Sequence, residues 1–132
     1  MARPGPKPCP RYGGGMVTVD DVRDVTRDLP RSYEVLVRGR IKFRVGQIVY
    51  VAFSRDEALM GFGFPKSERD YLVQTDPDTF LLPEGGDLRF NWVVARTDRL
   101  DRDEMAGYVI DAWSMCVPKF LSRPYRADLT GA

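Results

Sequence analysis

Residues 40–53 read Arg40-Ile41-Lys42-Phe43-Arg44-Val45-Gly46-Gln47-Ile48-Val49-Tyr50-Val51-Ala52-Phe53. Their pattern decides the fold. In the first half the residues alternate: Ile41, Phe43 and Val45 share one face of a strand, and Arg40, Lys42 and Arg44 share the other. Gly46-Gln47 supplies a two-residue turn with glycine in the first central place. Ile48 to Phe53 is a second β-rich run, more fully apolar and hence more central in a sheet.

Working outward, residues 33–64 alternate in the manner of strands. Arg55-Asp56-Glu57 is a polar connection to a third strand at Leu59 to Phe64, where Gly61 and Gly63 signal close packing or a bulge. Upstream, Thr18 caps a helix whose Asp20 and Asp21 suit the positive end of the helix dipole. Val19, Val22, Val25 and Leu29 form its apolar stripe, and Pro30 ends it. Downstream, Pro65 opens a second helix that runs to Gln74 with Tyr71 and Leu72 facing inward, stopped by Asp76-Pro77. Phe80 to Leu82 and Phe90 to Ala95 are further strands. Asp101 caps the last helix, with Glu104 completing a capping-box pattern. Met105, Tyr108, Val109, Ala112 and Cys116 lie on one stripe of it. Pro118 breaks that helix, and Lys119 to Arg123 form one more turn. The order α-β-β-β-α-β-β-α predicts an α+β domain, one largely antiparallel sheet with helices packed on one face. That domain spans 17–125. The Pro- and Gly-rich residues 1–16 read as a flexible tail, and 126–132 as a C-terminal tail.

Composition narrows the chemistry. The chain has 132 residues and no histidine, so imidazole acid–base catalysis, Ser-His-Asp or Cys-His nucleophiles and His metal sites are excluded. Cys9 and Cys116 are too far apart in sequence to form a ligand cluster. Gly61 and Gly63 match neither a P-loop nor a dinucleotide fingerprint. No enzyme activity, cofactor or metal is therefore expected. No apolar run reaches the roughly 18 residues of a membrane helix, so no membrane partner is expected, and the location expected is cytoplasmic. The net charge of +1 gives no global attraction to nucleic acid.

Several local strings resemble the MmcQ/YjbR-like family of small bacterial proteins over roughly residues 17–123. They are Leu29-Pro30 ending the first helix, Phe43-Arg44-Val45-Gly46 entering the hairpin, Asn91-Trp92-Val93 in the late strand, and Ala112 to Lys119 (AWSMCVPK) closing the last helix. The resemblance implies an α-β(3)-α-β(2)-α two-layer sandwich, similar in fold to secretion chaperones and frataxin-like proteins. It also implies DNA binding, the label its members commonly carry. Where relatives often have a basic cluster with a His before the late-strand Trp, this chain has Asp87-Leu88-Arg89-Phe90-Asn91.

Charge is uneven. Arg38, Arg40, Lys42 and Arg44 outweigh Glu34 in 32–44, whereas acidic residues dominate 76–104. A basic strand face can track phosphates in a salt-sensitive way. It can equally be a solvated face that guards a sheet edge. Lys66, Arg69, Lys119 and Arg123 are secondary phosphate candidates, and Asn91 is a candidate base contact beside Trp92. Adjacent strand residues point to opposite faces, and Trp92 is the one expected in the core. Backbone N–H groups at the start of the second helix, with Lys66, form a weaker anion candidate. Cys116 reads as a core thiol.

Three function classes follow: weak, largely non-specific nucleic-acid binding, a protein-interaction or chaperone-like module acting as monomer or homodimer, and a small-ligand site. A clustered positive surface would favour the first, an exposed apolar patch the second, and a pocket with convergent polar groups the third.

Overall fold

The computed structural model describes residues 17–130, with side chains to residue 124. The expected tail over 1–16 lies outside the described residues. Helix α1 (Val19–Thr26) starts at a reciprocal cap: Thr18 Oγ1 accepts from the Asp21 amide, and Asp21 accepts from the Thr18 amide. Val19 and Val22 are buried, and Val25 packs beside them on the core.

Four strands follow in antiparallel succession: β1 (Ser32–Val37), β2 (Arg40–Val45), β3 (Ile48–Phe53) and β4 (Leu59–Gly63). The expected order held three strands before the second helix, and β1 is the addition. It joins β2 through Arg38-Gly39, both with positive φ (54° and 81°), as a type I′ turn demands. Gly46, φ 59°, turns β2 into β3. Helix α2 (Lys66–Thr75), β5 (Phe80–Leu81), a 3₁₀ turn (Gly85–Arg89) and β6 (Trp92–Arg96) come next. Helix α3 (Arg102–Ser114) begins where Asp101 accepts from the Asp103 and Glu104 amides, and α4 (Lys119–Thr130) closes the chain. The single turn expected after Pro118 is thus a longer helix, running past the domain limit placed at 125.

The sheet order is β1-β2-β3-β4-β6-β5. Every pairing is antiparallel, as expected. Phe43, Val51, Phe53, Met60, Phe62, Val93 and Ala95 form one continuous buried layer with Val109, Ala112 and Trp113 of α3. The α-helices pack on that face, giving the two-layer α+β sandwich. Trp113 is fully buried and donates its Nε1–H to the Pro30 carbonyl at 2.9 Å, so the turn between α1 and β1 is tied to α3. Truncating such a residue to Ala costs about 3–5 kcal/mol. Tyr108 joins Phe62, Phe64 and Phe80 in an aromatic cluster, with ring centroids 5.1–6.0 Å from its own. In α2, Leu72 turns inward as expected, but Tyr71 is 74% exposed. Val73 packs on the core instead, because the burying stripe of this helix is one residue out of phase with that reading.

Candidate nucleic-acid interface

The opposite, outer face of the sheet is crossed by no α-helix, although the 3₁₀ turn and the C-terminal end of α3 reach over its rim. Register places Val35, Lys42, Ala52, Gly61, Val94 and Leu81 in one row across all six strands. Arg40 is two residues from Lys42 on the same strand and therefore shares this face. So does Trp92, two residues from Val94. The expectation that Trp92 enters the core is corrected. Val93 and Ala95 are the fully buried residues of β6, and the indole lies outside, half-buried over β4.

Gly61 makes that possible. A β-carbon there would stand 2.6 Å from Nε1 and 2.7 Å from Cζ2 of Trp92. The strand glycine expected to mark close packing does so, and its partner is this indole.

Trp92 lines two adjoining cavities of about 460 and 410 Å³. Arg40, Ala52 and Asp87 line both as well. The larger also reaches Tyr50, Met115 and Cys116. It exists because β3 and β4 pair only from Val51↔Phe62 to Phe53↔Met60, and because a bulge near Tyr50 shifts the β2–β3 register. Beyond that point the strands open, and the C-terminal end of α3 closes the gap. Tyr50 bonds to Ser32 through its hydroxyl, and burial pushes its pKa up to about 12. Burial also raises the Cys116 thiol, which opposes thiolate formation.

The far wall is the 3₁₀ turn with Asp87 and Phe90. Three of the sequence candidates hold it in place. The Asn91 side-chain oxygen accepts from the Lys66 amide at 3.0 Å, capping α2, which starts after Pro65 without a side-chain cap of its own. Lys66 Nζ donates to the Arg89 carbonyl at 3.2 Å. Arg69 is 5% exposed and donates to the carbonyls of Phe90 and Trp92 at 3.1 and 3.2 Å. The structure removes Arg69 from phosphate reach. The residue reads as a surface charge in sequence, but strand entry leaves two carbonyls that need donors.

Of the basic run, Arg40 and Lys42 line the larger cavity. Arg40 Nε donates to the Phe53 carbonyl at 3.2 Å. Arg38 sits in the β1–β2 turn, where Arg55 Nε donates to its carbonyl. Arg44 is half-buried, with its Nε enclosed and without a hydrogen bond. Among the described residues no carboxylate pairs with any of the four. Lys119 and Arg123 are exposed on α4 and line neither cavity. Residues missed in sequence are Asp87, Phe90 and Met115. Their signal is purely spatial, since no spacing links a 3₁₀ turn to the end of α3.

Among the described residues no group of His, Cys, Asp or Glu is arranged to hold a metal ion, and no helix is long and apolar enough to cross a membrane.

Comparison with known proteins adds a fold-level likeness. No family model matches the sequence, and no curated protein matches it. The crystal structure of Deinococcus radiodurans protein DR2400, described as family-model domain DUF419, is similar to this chain with a TM-score of 0.69. It is 20% identical in sequence, and the match covers 87% of this chain and 89% of that one. DUF419 is the YjbR/MmcQ-like family. The chain thus shares its fold with a protein of that family, along nearly the whole length of both.

Proposed function

We propose that the chain is a YjbR/MmcQ-type domain that binds nucleic acid weakly, with little sequence preference, through the outer face of its sheet. The observation carrying this reading is the basic run of β2 and its turn. Arg38, Arg40 and Lys42 follow one another with no paired carboxylate among the described residues, and Arg44 adds a partly enclosed charge. On the helix side, by contrast, Arg23 is held by both Asp20 and Glu34. Unpaired cations in a row can displace counterions from phosphates. The site binds and does no chemistry in this reading, and it uses no cofactor or metal. A half-buried free thiol at Cys116 fits a cytoplasmic setting.

The test is fluorescence anisotropy with single-stranded and duplex DNA at two salt concentrations, comparing the wild type with Arg40→Ala/Lys42→Ala. Three or four phosphate contacts to a single strand give a log–log salt slope of about −2 to −3, and the variant loses about 1 to 1.5 of it. Absence of binding at low salt sinks the reading.

A protein-interaction role is the second reading. Strand β1 forms a sheet edge, with Leu36 72% and Tyr33 43% exposed. An open edge can pair with a strand of another chain. Light scattering after gel filtration tests for a homodimer built this way: Leu36→Lys shifts a dimer to monomer, and a monomeric wild type at every concentration rejects the dimer.

A further inference from the structure

We propose that the larger cavity on the outer face of the sheet takes one unpaired base of a single strand, packed against Trp92. The proposal rests on the nucleic-acid reading above and specifies the form of the ligand.

Two tryptophans in the same small domain are placed in opposite ways. Trp113 is fully buried with its N–H bonded to Pro30. Trp92 is half-buried, stands on the outer face of the sheet, and has a glycine beneath it where any β-carbon would collide. Its Nε1 makes no hydrogen bond among the described residues. An indole held in a surface trough offers a π-face to any base, whatever its sequence.

The cavity size agrees. About 460 Å³ falls in the range of small-molecule sites, roughly 300–1,000 Å³, and accommodates a base with its sugar. A duplex keeps its bases stacked inside and cannot present one here. The other lining groups suit a planar apolar guest: Phe90 on the 3₁₀ turn, Ala52 on the floor, and Met115, whose thioether adapts its shape.

Electrostatics orients the guest. Arg40 and Lys42 form the β2 wall. Gly61, beneath the indole, lies two strands from β2, roughly 10 Å, which is the scale of one nucleotide from base to phosphate. Asp87 lines the opposite wall, and the α3 C-terminus, the negative end of its dipole, closes the cavity near Met115. Both repel a phosphate. The phosphate therefore goes to Arg40 and Lys42, and the base goes to Trp92.

The experiment titrates the full chain with three probes: a short single-stranded oligodeoxynucleotide, the same oligonucleotide made abasic, and its duplex. The intact single strand binds about tenfold tighter than the abasic one, the loss expected for one stacked base. Binding quenches tryptophan emission. Trp92→Leu abolishes both the quenching and the preference, and Trp92→Phe keeps most of the preference. Circular dichroism checks that each variant folds, and Trp92→Phe retains an aromatic ring should the leucine variant not fold. Equal, salt-sensitive binding of intact and abasic strands overturns the base site and leaves the phosphate reading intact. No binding of any probe at low salt overturns both.

Discussion

Trp92 of β6 occupies the space that a side chain at Gly61 of β4 would need, with Nε1, Cζ2 and Cε2 all within 2.8 Å of the position of such a β-carbon. The two residues are not register partners. Gly61 pairs with Val94, and Trp92 with Gly63. The indole therefore reaches diagonally across the sheet, towards the strand that carries Arg40 and Lys42. Floor and wall of the trough are thus set by one residue with no side chain and one with the largest.

Gly61→Ala is expected to destabilise the fold by about 1–3 kcal/mol, the usual cost of overpacking, and to change the tryptophan emission. Gly63→Ala is the control, because its β-carbon would meet the Ala112 methyl at an ordinary 3.5 Å. Denaturant unfolding of both variants checks this. Equal costs would mean that Trp92 yields freely.

Arg69→Met leaves the carbonyls of Phe90 and Trp92 without their buried donor. A loss of about 2–3 kcal/mol is expected, with faster amide exchange confined to residues 87–92. Protection unchanged in that segment would show that the turn holds without the guanidinium.

Acid stability follows Glu34. Its hydrogen bonds from Arg23 hold the carboxyl below its ordinary 4.5. A depressed folded pKa gives stability that is present above the unfolded value and lost as pH falls through the folded one. Asp56, held down by Ser54 and the Ala58 amide, acts in the same direction. Glu34→Gln should lower the neutral-pH melting temperature slightly and make its acid decline shallower. Parallel declines in the two proteins would count against the ion pair.

Alkaline stability follows Tyr50. Burial raises its pKa from 10.0 to about 12. The neutral phenol is favoured in the folded state, so stability is full below pH 10.0 and falls as pH rises towards about 12. Tyr108, raised by burial too, adds to the same limb. Tyr50→Phe should flatten part of this decline, measured by melting temperature against pH. An ultraviolet titration should show one fewer late-ionising tyrosine.

Much of the fold is legible in sequence. Thr18 and Asp101 mark helix starts because a short polar side chain can satisfy orphan amides locally, with no help from distant residues. Ile41, Phe43 and Val45 reveal their buried face because Arg40, Lys42 and Arg44 alternate with them. Strand β1 is harder to delimit. In Val35-Leu36-Val37 both faces are apolar, and its edge position leaves Leu36 exposed, so period two carries little signal there.

The candidate site is legible only in part. Sequence identifies the cationic face of β2, since a strand face follows from local alternation. It does not identify the use of Lys66, Arg69 and Asn91, because their partners lie more than 20 residues away and are mostly backbone carbonyls without sequence identity. Nor does it orient Trp92. In Trp92-Val93-Val94-Ala95 both parities are apolar, and the size of tryptophan argues for the core. The tertiary structure decides otherwise for a steric reason. Met60 and Phe62 stand opposite Ala95 and Val93 and fill the inner layer beneath α3, while Gly61 leaves the outer face open. Local alternation determined which residues share a face. Only the packing of β4 against β6 determined which of those faces is the core.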